Sequence, residues 1–213
     1  MPITAKQSEV KFELVPAGNH LARCYSMIEI GTEDIVFNGE TKQAYKVRIT
    51  WELPNEKKVF NPEKGEQPFS VSKDYTLSMH EKANLRHDLS SWRGRAFTDD
   101  EAKAFDITKL IGIPCMLNVI HNAAKNGNTY ANISSVATVP KGLIVPPQIN
   151  PSFIFSYDDW NDSKFNALPD YLRQRIERTP QFKKRLEVDP NPAERGEFPD
   201  IEREPVGVDD LPF

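Results

Sequence analysis

Two groups of side chains in this sequence have the types and spacing for recognition chemistry. The first is Asp209-Asp210-Leu211-Pro212-Phe213, which closes a run of acid. There the aspartates can find a basic rim, the Phe213 ring can fill an apolar pocket, and an α-carboxylate can meet an Arg or Lys. The second is a set of cations and aromatics dispersed through the chain: Arg23, Tyr25, Lys46, Arg48, Lys57, Lys58, Lys125 and Tyr130, with Asn132 beside the last. Cations that track phosphates and aromatic faces that stack on bases are what sequence-tolerant binding of single strands requires. Arg93 and Arg95 bracket Gly94 next to Trp92, another Arg-aromatic cluster, although cations also favour a helix C-terminus for structural reasons. Trp51 and Tyr75 are of the right type, but their strand parity places them with core residues unless a bulge swaps the faces.

Other chemistries find little purchase. His20, His80, His87 and His121 are scattered, with no acid cluster beside them, and no H-E-x-x-H, G-x-S-x-G or Gly-rich phosphate loop occurs. Neither a catalytic site, a metal site nor a cofactor is expected. Cys24 and Cys115 sit in apolar, strand-like runs without metal-ligand spacing and read as reduced core residues of a cytosolic protein. No apolar run approaches 18 residues and no signal peptide is legible, so the expectation is a soluble, cytoplasmic protein with no membrane contact.

Charge divides the chain in two. Residues 187–213 hold nine acids against Arg195 and Arg203, a net −7, with five prolines and little apolar periodicity. Such a segment buries too little to offset its ordering entropy and is expected to stay disordered; acidic tails of this kind also serve simply to solubilise. Residues 1–186 carry 25 basic and 22 acidic side chains, so the whole-chain −4 becomes +3 for the body. A weakly basic body with an acidic tail fits a nucleic-acid surface and a tail able to compete for it.

Residues 1–10 read as a loose arm. A first strand is expected over 20–30, HLARCYSMIEI, with Ala22, Cys24, Ile28 and Ile30 on one face and Leu21, Arg23, Tyr25, Met27 and Glu29 on the other. A linker with an Asn38-Gly39 turn leads to the cleanest alternation in the chain: Tyr45, Val47, Ile49, Trp51 and Leu53 against Lys46, Arg48, Thr50 and Glu52, ended by Pro54. After a charged loop over 55–68, a third strand carries Phe69, Val71, Tyr75 and Leu77. Capping boxes at Ser78–Glu81 and Thr98–Glu101 open a helix that stops at Gly94 and a short acidic turn near Phe105. Two hairpin strands follow over 113–122 and 129–140. A Pro-rich stretch then leads to a helix near Leu168-Pro169-Asp170, bearing Tyr171, Leu172 and Ile176 and interrupted at Pro180.

Three strands, a helix, then two strands is the order of an OB-fold, a five-stranded, partly open barrel. The fold class expected is therefore mainly β, with this domain over 1–145. A Pro-rich linker and helical extension over 146–186 and a disordered acidic tail over 187–213 complete the division. An SH3-like barrel and an α+β sheet share the elements but do not call for a capped helix in that slot.

The tip Asp209–Phe213 resembles the C-terminal tip of bacterial single-stranded DNA-binding proteins, with Leu211 where that family has Ile. Over roughly 15–140, Tyr75-Thr76-Leu77-Ser78, Lys82-Ala83-Asn84-Leu85-Arg86 and Ser91-Trp92-Arg93-Gly94-Arg95 resemble phage-encoded single-stranded DNA-binding proteins. The resemblance implies a protein that coats single-stranded DNA during phage replication, recombination or repair in a bacterial cytoplasm. Its tail would recruit a polymerase, helicase or primase and fold back over the cationic groove when DNA is absent; homo-oligomers are left open. The rival reading is an OB-like protein-interaction module without DNA affinity, whose tail mimics the tip to bind host replication proteins.

Overall fold

The structure is a computed structural model, and it describes residues 13–37, 39–124 and 127–188. Residues 1–12, Lys125 and the tail 189–213 lie outside them. The chain is mainly β. Strands β1 (Gly18–Phe37), β2 (Glu40–Asn61), β3 (Gly65–Thr76), β4 (Pro114–Ala123) and β5 (Thr129–Ala137) form one antiparallel sheet in the order β3-β2-β1-β4-β5. It curls into a half-barrel, bringing Cα atoms of β3 and β5 within 8 Å of each other. Helices α1 (Asn84–Arg93) and α2 (Asp99–Lys103) and a 3-10 turn (Ile107–Leu110) lie in the chain between β3 and β4.

The concave face follows from the alternation of β2. Val47, Ile49, Trp51 and Leu53 are buried and meet Leu85, Leu89 and Trp92 of α1, with the Trp51 and Trp92 rings 5.8 Å apart. Each such side chain contributes about 1.5–3 kcal/mol by leaving water. Helix α1 stops at Gly94, whose φ of 73° only a residue without Cβ adopts cheaply. Its start differs from expectation. Ser78 does not cap it: Ser78 Oγ accepts from the His80 N–H, a further turn runs to Ala83, and the helix opens at Asn84 with no side-chain cap. At Thr98 and Glu101 the capping box forms, each side chain accepting the other's backbone N–H.

Three readings of the strands need correction. The register of β1 against β2 slips between Cys24 and Ser26 and again between Glu29 and Gly31. An extra residue swaps the faces, so Met27 joins Ala22 and Cys24 in the main core, and Ile28 and Ile30 turn to a second cluster. The linker over 31–43 and the loop over 55–68 are instead strand, giving long hairpins β1-β2 and β2-β3. Pro54 does not end β2. It lies in the register break between Leu53↔Phe69 and Lys57↔Pro68, where no ladder N–H is required of it.

The segment expected as linker and extension is docked onto the sheet. A short strand β6 (Phe153–Phe155) pairs in parallel with β1 from Ser26 to Ile28. Helices α3 (Asp162–Asn166), α4 (Asp170–Glu177) and α5 (Pro180–Val188) follow. Phe155, Phe165, Leu168, Leu172 and Ile176 close over Ile28 and Ile30 as a second core. Gly31 permits the approach: a Cβ there would lie 3.0–3.1 Å from Gln181, Tyr157 and Thr179. The Tyr157 hydroxyl donates to the Ile30 carbonyl, and burial pushes its pKa up to about 12. No described helix is long and apolar enough to cross a membrane.

Candidate nucleic-acid interface

The outer face of β1, β2 and β3, where parity places most of the candidate cations, is roofed by the chain's own extension. Arg23 donates from Nε and both terminal nitrogens to the carbonyls of Pro146, Gly112 and Val145, at 2.9, 2.6 and 3.2 Å, and burial lowers its pKa. Beside it Glu52, wholly buried, accepts the Ile149 and Asn150 N–H groups and the Asn150 side-chain amide at 2.6–2.7 Å. These contacts strap residues 145–150 across the sheet. Arg23 is thus a structural tie, all three of its guanidinium nitrogens donating to backbone carbonyls.

Further along the same face, Lys46 Nζ donates to Thr76 Oγ1 at 3.0 Å and Arg48 to Asp74 at 2.9 Å. The Asp74 carboxylate also accepts from Arg175 of α4, whose other nitrogens hold Glu33. The bond to Glu33 is the chief reason the Arg175 pKa is raised. The Arg48 guanidinium lies 5.6 Å from the centre of the Tyr171 ring. Tyr25, half-buried, donates to Ser70 Oγ at 3.3 Å, and burial raises its pKa.

Four candidates have structural roles. Trp51, 1% exposed, is core. Tyr75, equally enclosed, donates to Asp88 at 2.8 Å; burial first, and Asp88 second, pushes its pKa up. Neither can stack on a base, so the parity reading holds and no bulge reverses it. The Arg93 side chain is 1% exposed, sandwiched 4.1 Å from the Phe97 ring and donating to Glu101 at 2.8 Å. Arg95 shares that carboxylate, and the bonds from Arg95 and then Arg93 draw the Glu101 pKa down to about 2. This cluster ties the end of α1 to α2; Arg93 is enclosed in it, whereas Arg95 is bound to Glu101 but 47% exposed.

Lys57, Lys58 and Tyr130 remain accessible, at the end of the sheet where the β2-β3 and β4-β5 hairpins project. Residues 13–20 bridge the two arms. Glu13 pairs with Lys58, His20 faces Glu56 at 3.4 Å, and His121 of β4 donates to the Val15 carbonyl at 2.8 Å. Phe60, half exposed, packs edge-on against Phe69 at 5.0 Å, and Tyr130 is 46% exposed on β5. Sequence reasoning passed over Phe60 and His121; an aromatic between Lys57-Lys58 and Asn61-Pro62 was the available signal for the first. Lys125 and the tip Asp209–Phe213 lie outside the described residues. Among the described residues no group of three or more His, Cys, Asp or Glu could hold a metal ion. No protein-family model matches the chain, and no curated protein matches it either.

Proposed function

We propose that the half-barrel is an OB-fold and that the protein binds single-stranded DNA with little sequence preference, in phage replication or recombination. The strand order with α1 between the third and fourth strands supports the fold reading. One observation carries the functional reading: Lys57 and Phe60 on one hairpin arm and Tyr130 on the other are exposed, Lys58 beside them is half-exposed and paired with Glu13, and residues 13–20 link the arms. That pairs cations for phosphates with aromatic faces for bases. The acidic segment 187–213 would recruit replication proteins through Leu211, Pro212 and Phe213. The rival, a protein-interaction module without DNA affinity, draws support from one fact: Arg23, Lys46 and Arg48 each have a partner within the chain.

The test compares two variants against fluorescein-labelled oligo-dT. A triple variant Lys57→Ala, Lys58→Ala, Phe60→Ala should lose most of the affinity, with about 1–3 kcal/mol from the aromatic alone. The pair Lys46→Ala, Arg48→Ala should lose little. Absence of binding by the unaltered chain at low salt favours the rival; the reverse order of effects moves the interface back to the outer face.

A further inference from the structure

A cleft of about 490 Å³ opens at the other end of the half-barrel, between the chain after β3, the link from α2 to the 3-10 turn, and β6. Its floor is apolar, with Met27 and Leu85 from the main core and Phe155 from the second, and its mouth is flanked by Leu77, Phe105 and Ile154. Leu77 is 39% exposed there. Three carboxylates and one ammonium line the cleft: Glu29, Asp106 and Asp158 against Lys103. Among the described residues none of the three carboxylates is in an ion pair, whereas Lys103 is already paired with Asp100. Glu29 is also fixed in place, accepting from the Tyr45 hydroxyl at 2.9 Å and the Tyr157 N–H at 2.7 Å.

We propose that this cleft is a docking site for a partner protein's peptide segment that carries an apolar side chain flanked by lysines or arginines. The apolar side chain leaves water against Leu77 and Phe105, and the flanking cations meet carboxylates that have no counter-charge of their own. Charge complementarity selects this occupant. The chain's own acidic tip, with Asp209 and Asp210, would bring like charge to the same rim and is disfavoured there. The cleft is separate from the hairpin arms, so the inference stands apart from the DNA reading.

The probe is a fluorescein-labelled hexapeptide, Lys-Lys-Leu-Phe-Lys-Lys, with a counterpart in which glutamates replace the lysines. Anisotropy should show the lysine peptide binding the full chain with an affinity that falls with salt, and the glutamate peptide failing to bind. Leu77→Ser and Asp158→Lys change exposed residues, so both variants should melt like the unaltered chain and bind oligo-dT as it does. Each should weaken the lysine peptide by about fivefold or more, and Asp158→Lys should improve the glutamate peptide. The proposal is overturned if the lysine peptide does not bind, or binds both variants unchanged. Equal binding of the glutamate peptide, or of a peptide of residues 205–213, overturns it as well.

Discussion

Glu101 shows how one side chain can close a junction that sequence spacing only half reveals. The capping box was legible at Thr98 and Glu101, because its spacing is local. That the same carboxylate also holds Arg93 and Arg95 was not, since those pairs depend on where α1 ends relative to α2. The pH consequence follows from the lowered pKa. The carboxyl titrates from 4.5 in the unfolded chain but at about 2 in the folded one, so on acidification the unfolded state takes up the proton first. The stabilisation is complete above pH 4.5 and is lost as pH falls towards 2. Thermal melts should therefore show a gap between the unaltered chain and Glu101→Gln that is constant above pH 5 and narrows below 4.5. A gap that persists unchanged to pH 2 would show that Glu101 acts without its charge. For Trp51 and Tyr75 parity favours the core but leaves base stacking open; both are buried, because β2 and β3 keep their register from Lys46↔Thr76 to Leu53↔Phe69.

Among the elements, β1 carries the lesson about legibility. Its two register shifts move Ile28 and Ile30 to the outer side, which no alternation rule predicts from a run of mixed residues. The extension was half legible. The helix near Leu168 was visible from its proline and apolar spacing, whereas β6 is three residues long and α3 five, too short for a period to register. Its docking is tertiary and depends on the very bulge that was hidden. Ile30→Ala should cost about 2–5 kcal/mol and speed hydrogen exchange across 153–188 well beyond any change in α1; equal change in both would make the two cores one cooperative unit. Glu52→Ala should be more local. It removes the acceptor of two part-buried backbone N–H groups and an amide, at about 1–3 kcal/mol in all because water can reach some of them, and should loosen 145–150 first. A melt unchanged by Glu52→Ala would mean the strap is held by Arg23 alone.

Taken as one molecule, the chain joins in sequence a weakly basic body to a strongly acidic segment, and the docked extension occupies Arg23 on the outer face while Lys57, Phe60 and Tyr130 stay exposed on the hairpin arms. Deleting residues 189–213 should tighten DNA binding at low salt by removing a tethered competitor, an advantage that shrinks as the Debye length falls below about 10 Å above 0.1 M. Phe213→Ala should leave DNA affinity unchanged while weakening capture of a replication partner. Intrinsic fluorescence would report the DNA poorly, because Trp51 and Trp92 are buried and Trp160 sits in the aromatic cluster of the second core. The decisive measurement is the anisotropy of fluorescein-labelled oligo-dT and oligo-dA against the full chain from low to moderate salt. The account predicts similar affinities for the two oligomers and a log–log salt slope of about −0.7 for each phosphate neutralised. No binding at low salt, or an affinity indifferent to salt, would contradict it.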